Sequence, residues 1–190
     1  MVHVPVVRAD RIRNRGAIVA AARELLGDPG SELTMDGIAV RAGVAVGTLY
    51  RHFPTKTDLV QAVLAETVTE LADLAEAARD RVRDGADPWQ QLVDFFVTIA
   101  QGPSASRTVA EAARALGVAD DDTGPVDPAA DRAVRALAET LAASRDAGLV
   151  RPDVDLADLF LVMVQAPDRH RPAERDRYMQ LVAQGLRLGR

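Results

Sequence analysis

Residues 34–56, TMDGIAVRAGVAVGTLYRHFPTK, hold two apolar stripes of helical period separated by one glycine, and that spacing admits few folds. Met35, Ile38, Ala39 and Ala42 fall at i, i+3, i+4 and i+7, which predicts a short amphipathic helix over about 35–42. Thr34 is the expected N-cap, because its hydroxyl can accept from the free N–H groups of the first turn. Gly43 follows directly and can take the left-handed conformation that ends a helix. A second helix is predicted over about 46–53, stopped by Pro54. Two short helices joined in this way make a helix-turn-helix, a unit that lays its second helix in the major groove of DNA.

On a wheel of about 100° per residue, Leu49, Phe53 and Val46 share one side of the second helix and point at the first. Gly47, Thr48 and Arg51 share the other side, with Tyr50 and His52 on the flanks. This divides the helix into base-facing positions (Val46 at its tip, Gly47, Thr48 and Arg51) and phosphate-reaching positions (Tyr50 and His52). Gly47 would let the backbone come close. Helix pairs with a central glycine also occur in helical proteins that never touch DNA. Geometry alone therefore leaves open whether this pair binds DNA or simply packs.

The segment RAGVAVGTLYRHFPTKTDLVQAVL (41–64) resembles the DNA-binding domain of the tetracycline-repressor (TetR) family. The specific part, A-G-V-x-x-G-T-L-Y-x-H-F-x-x-K-x-x-L, matches without a gap from Ala42 to Leu59. Residues 18–39 look like that family's first helix, loop and second helix. The resemblance implies phosphate contacts from Thr34, Thr48, Tyr50, His52 and Lys56, and base contacts from Val46, Gly47 and Arg51. One departure is Ala45, where the family often has serine; alanine cannot cap the second helix.

Charge distribution fits the same reading. The chain has 190 residues and a net charge of −5, but residues 1–56 carry eight Arg/Lys against five Asp/Glu, a net +3. The remaining residues carry 15 against 23, a net −8. A small basic head on an acidic body supplies the electrostatic footprint of a DNA binder. Arg8, Arg11, Arg13 and Arg15 lead into the head and could reach phosphates or the minor groove; each is equally readable as a solvated charge.

The rest of the chain shows no strand signal, and the expectation is an all-α protein of about nine helices. Helix 1 is expected over about 10–26, a long helix over 56–84, and others over 88–101, 104–116, 128–147, 155–166 and 172–188. Asp87-Pro88 and Asp127-Pro128 are helix starts, and Gly85, Gly102-Pro103, Gly117 and Gly148 are stops. The expected domains are a helix-turn-helix domain, 1–56, and a helical effector-binding and dimerisation domain, 57–190. The resemblance implies that the last two helices build a four-helix bundle with a second subunit, as is usual in the TetR family. Leu159, Phe160, Leu181 and Leu186 are the residues expected in or beside that seam. Trp89, Phe95, Phe96, Thr98, Phe160 and Met163 are the expected lining of an effector pocket, with Arg107, Glu111 and Gln165 as polar anchors. The same apolar spacing equally describes an ordinary core, and Arg107/Glu111 an ordinary i,i+4 pair.

No catalytic or metal-binding pattern is present. His3, His52 and His170 are widely separated, with no HExxH, no nucleophile elbow, no Walker A and no dinucleotide glycine pattern. The aspartates of DDDTGPVD (120–127) lack the spacing of a calcium loop. Glu70/Asp73 and Glu76/Asp80 read as solvated helix faces. With no cysteine, no secretory segment and LFLVMV (159–164) as the longest apolar run, the expectation is a cytoplasmic protein with no cofactor, metal or membrane partner. The function expected is a non-enzymatic transcription regulator, most simply a repressor. It would bind a palindromic duplex operator as a homodimer and be released by a small-molecule effector. The alternative is a helical dimerisation or protein-interaction module without DNA binding.

Overall fold

Proline, glycine and short polar caps set where the helices begin and end. The computed structural model describes residues 4–26, 33–101, 128–167 and 171–188. Among these there are eight helices: α1 (Val4–Leu26), α2 (Met35–Ala42), α3 (Val46–His52), α4 (Lys56–Arg83), α5 (Pro88–Gln101), α6 (Pro128–Asp146), α7 (Leu156–Val164) and α8 (Pro172–Leu186). The helix expected over 104–116, with Arg107 and Glu111, and the acidic loop at 120–127 lie outside the described residues. No strand is present among those described, only an isolated bridge between Val150 and Arg187.

Helix α1 starts six residues earlier than expected, running through Pro5. Proline is tolerated in a first turn, where its missing N–H has no helical partner anyway. Thr34 caps α2 as expected, its Oγ1 accepting from Gly37 N at 3.1 Å. Gly43 ends α2 with φ 66°. Thr55 and Asp58 form a reciprocal cap on α4. Asp58 N donates to Thr55 Oγ1 at 3.1 Å, and Thr55 N donates to the Asp58 carboxylate at 2.9 Å. Asp155 and Asp158 form the same box on α7.

The chain divides into two compact units, Met1–Glu66 and Thr67–Arg190. The division falls ten residues beyond the expected boundary, because the first turns of α4 belong to the head: Leu59 and Val63 are buried with it. The head's core joins Ile18, Val19 and Ala22 of α1 to Ile38 and Ala39 of α2, Leu49 of α3, and Phe53. In the second unit, Leu71, Ala72 and Ala75 of α4 pack with Trp89, Leu92, Phe95, Phe96 and Ile99 of α5, and with Ala136, Leu137 and Leu141 of α6. Leu159, Phe160 and Met163 of α7 complete this core. Phe95, Phe96 and Phe160 stack edge to face, with centroids 5.3 and 5.6 Å apart.

Polar groups tie the second unit together. Arg132 of α6 reaches Asp73 at 2.7 Å and Glu76 at 2.6 Å on α4, and Arg83 reaches Glu139 at 2.8 Å. The carboxylates read from sequence as solvated are thus partly consumed by ion pairs between helices. The Arg175 side chain is buried and donates to the carbonyl of Ala100 near the end of α5. Tyr178 Oη donates to the carbonyl of Val162 at 2.9 Å.

Leu49 is fully buried in the head. Leu49→Ala should destabilise the head by roughly 2–5 kcal/mol, the range for deleting a buried leucine side chain. Urea unfolding followed by circular dichroism checks this; a loss below 1 kcal/mol would show that the α3 contact is not what holds the head.

Candidate nucleic-acid interface

Helix α3 is seven residues long and buries one of them completely. Leu49 and the following Phe53 point into the head, which leaves the remainder of the helix facing outward. Val46 is 38% exposed and Tyr50 46% exposed. The outward position of Val46 corrects the wheel, which grouped it with Leu49; it sits in the first turn, and the head's core does not include it. Ala45 is the N-cap and makes no side-chain cap bond, as expected of alanine.

Glycine geometry separates two roles in this region. A Cβ on Gly37 would meet Thr34 Oγ1 at 2.9 Å, so Gly37 is needed by the cap of α2. A Cβ on Gly47 would meet nothing within 4 Å. No contact inside the head accounts for a glycine on the open face of α3.

Arg51 lies back along its own helix. Its Nε donates to the carbonyl of Gly47 at 3.3 Å, and its Nη2 donates to Thr48 Oγ1 at 2.8 Å. Both acceptors are uncharged, so the positive charge is not neutralised. The other arginines of the head are spent differently. Arg13 pairs with Asp10 at 2.8 Å, Arg15 with Glu66 at 2.6 Å, and Arg41 with Glu24 at 2.5 Å. Arg15 also lies over the Phe53 ring, 5.4 Å from its centroid. Two of the four arginines read as a basic arm are therefore engaged within the head. The side chain of Arg8 lies outside the described residues.

Arg11 is placed differently. With Asp10 and Asn14 of α1 it faces Thr48, Arg51 and His52 of α3 across a groove of about 470 Å³. Asn14 was not singled out from sequence. The signal was its i,i+3 spacing from Arg11, which puts both on one face of α1. Burial of the His52 ring, then the nearby charges of Arg11, Arg51 and Arg15, hold its pKa below the ordinary 6.5. Thr34 and Lys56 are exposed at the starts of α2 and α4. The Thr34 hydroxyl keeps its own proton free to donate while it accepts from Gly37.

The other expected sites are only partly assembled. Trp89, Phe95, Phe96, Phe160 and Met163 are buried, but Thr98 and Gln165 are exposed. Thr98 spends its hydroxyl on the carbonyl of Asp94 at 2.7 Å. Trp89, Phe96 and Met163 do line one apolar cleft with Leu92, Met179 and Ala183, but its free volume is about 30 Å³. Leu159 and Phe160, expected near a dimer seam, lie in the chain's own core, whereas Leu181 is 51% exposed. Leu186 is half-buried against that core.

Residues 18–63 match the model of bacterial regulatory proteins of the tetR family, and residues 87–188 match that of the SbtR-like transcriptional regulator C-terminal domain. The chain belongs to the TetR family. A TetR transcription regulatory protein from Mycobacterium vanbaalenii is 33% identical, covering 96% of this chain and 99% of that one, with a TM-score of 0.65. An HTH-type transcriptional regulator of Staphylococcus aureus is 44% identical over 92 residues, 48% of this chain and 50% of the relative. The HTH-type transcriptional activator FasR of Mycolicibacterium smegmatis is 38% identical over 86 residues, 45% of this chain and 38% of the relative. The chain spans about half the length, or less, of these curated relatives. TetR-family proteins are DNA-binding transcriptional regulators rather than enzymes. No described helix is long and apolar enough to cross a membrane.

The lowered pKa of His52 gives a signed prediction. The unfolded chain takes up this proton at a higher pH than the folded one. The contribution of His52 to stability is therefore complete above about pH 6.5 and is lost as pH falls below it. The His52 ring proton should titrate below 6.5 by NMR, and His52→Gln should flatten the stability change over that window. A midpoint at or above 6.5 would contradict the burial of the ring and the arrangement of Arg11, Arg51 and Arg15 around it.

Proposed function

We propose that this TetR-family protein is a transcriptional repressor that binds a palindromic duplex operator as a homodimer and leaves it when a small molecule binds the second unit. The observation that carries the DNA-binding part is the open face of α3. There Gly47, Thr48 and Arg51 stand beside the exposed Val46, and a Cβ on Gly47 would meet nothing within 4 Å. Val46, Gly47 and Arg51 would meet base edges, with Thr48 beside them on the same face. Thr34, Thr48, Tyr50, His52 and Lys56 would meet phosphates, with Arg11 and Asn14 of α1 on one rim. A phosphate beside His52 would oppose the three guanidinium groups and favour the protonated ring.

A palindrome follows from two-fold pairing of such heads, with half-sites about 34–36 Å apart. The exposed Leu161 of α7 and Leu181 of α8 support a seam on these two helices. Helix α4 is shared by both units, which gives an effector a route from body to head. A ligand that favours another head spacing weakens operator binding by linkage. The expected effector cluster of Trp89, Phe96 and Met163 supports an apolar ligand, since its cleft is lined by apolar side chains. Repression is the simplest use of a released DNA binder; the activator among the relatives shows the other outcome in a related protein.

Selection of bound duplexes from random sequence, with sedimentation of the complex, tests the whole reading. The expected result is a two-fold symmetric site bound by a dimer, with affinity falling steeply as salt rises. Recovery of no preferred sequence, or binding indifferent to salt, would return the protein to the alternative, a helical interaction module.

Gly47→Ala separates folding from binding. In the free protein the added methyl meets nothing, and alanine favours a helix by roughly 0.5–1 kcal/mol over glycine. Thermal unfolding should therefore show an equal or higher midpoint, while operator affinity falls. Undiminished affinity would mean that DNA does not approach the α3 backbone at this point.

A further inference from the structure

We propose that Thr48 is a positioning residue for Arg51, and that the pair reads a single guanine through the end of the guanidinium rather than its side. This rests on the proposed DNA contact of α3.

A guanidinium has two edges able to grip a base bidentately. One is the side edge, Nε with Nη2, and the other is the end fork, Nη1 with Nη2. In this structure both side-edge nitrogens are already donating, Nε to the Gly47 carbonyl and Nη2 to Thr48 Oγ1. The end fork keeps both hydrogens of Nη1 and one of Nη2. That fork matches the O6 and N7 acceptors of guanine in the major groove.

Thr48 suits the task. It is half-buried, its β-branching limits χ1 to few rotamers, and in the one it adopts Oγ1 accepts from Arg51 Nη2 at 2.8 Å. It stands three residues before Arg51, on the same face of the helix. Because neither acceptor carries charge, the arginine is oriented without being neutralised. A carboxylate in the place of Thr48 would hold the side chain more tightly but cancel the charge that the DNA attracts. The ordering cost of a long side chain is met before DNA arrives, so less of it is charged against binding.

The experiment measures base preference at every operator position for wild type, Arg51→Ala, Thr48→Val, Thr48→Ser and the double variant Arg51→Ala/Thr48→Val. Valine keeps the branched shape and the stiff χ1 while removing the acceptor; serine restores the acceptor. Arg51→Ala should abolish a guanine preference of about 5- to 150-fold at one position per half-site. Thr48→Val should lose most of the preference at that same position, and at no other. The double variant should be no worse there than Arg51→Ala, and Thr48→Ser should retain the preference. Three results would overturn the proposal: an intact guanine preference in Thr48→Val, a change at a different base pair, or additive losses in the double variant. If Arg51→Ala leaves every position unchanged, the base-reading role of Arg51 fails too. That result is distinct from a normal Arg51→Ala effect with a silent Thr48→Val.

Discussion

Burial of Leu49 is the contact on which the interface depends. A helix of seven residues lies well below the roughly 12–15 at which helices begin to persist alone in water. Its N-cap alanine contributes no side-chain bond, so local capping does not rescue it. What holds α3 is one leucine inserted among Ile18, Ile38 and Ala39, with Phe53 closing behind it. Because so few side chains anchor the helix, most of its surface is left for something else. The same economy explains why the head needs the first turns of α4: Leu59 and Val63 supply core that a three-helix unit of this size would otherwise lack.

Charges in the two units are handled differently. Between α4 and α6, arginines meet carboxylates, and Arg132 engages two of them. Such partly exposed pairs add little stability singly, although a shared arginine fixes the relative position of two helices. In the head, Arg13, Arg15 and Arg41 are likewise matched with acids. Among the described residues Arg51 donates to a carbonyl and a hydroxyl. Arg11 and Arg51 thus both line the groove between α1 and α3, and their charges, with that of Arg15, add to burial in holding the pKa of His52 down.

How much could be read from sequence follows from how local each determinant is. The cap at Thr34, the left-handed Gly43 and the uncapped start at Ala45 depend on neighbours within four residues, and all three appear as expected. So do the starts at Pro88, Pro128 and Pro172. Periodicity says that a face is buried but not against what. Leu159 and Phe160 lie on the face that α7 turns to its own core, and nothing in their spacing distinguishes that from a subunit seam. Thr98 and Gln165 are exposed and outside the apolar cleft for a related reason: polar residues near an apolar run say little about which way they point. Val46 shows the limit of a wheel at a helix end, where a side chain can overhang its neighbour. The Thr48–Arg51 bonds follow from i,i+3 spacing, yet the choice of which guanidinium edge is left free is a matter of rotamer.

The apolar cleft in the body constrains any account of release. Its free volume of about 30 Å³ is small, since a single water needs roughly 10–15 Å³. A metabolite-sized guest seated deep in it would part α5 from α7 and α8. Separating those helices exposes apolar surface at roughly 25 cal/mol per Å², and a guest offsets this only by presenting apolar surface of its own. Met163 and Met179 sit in the lining, and unbranched thioether side chains can reshape around a guest with little strain. A polar guest would open the same gap and leave its own donors and acceptors unmet against apolar walls, at a cost of roughly 1–3 kcal/mol for each. If the second unit takes the effector proposed above, this lining would favour an apolar one, and the helix movement needed to admit it would make binding there mechanically visible elsewhere in the chain.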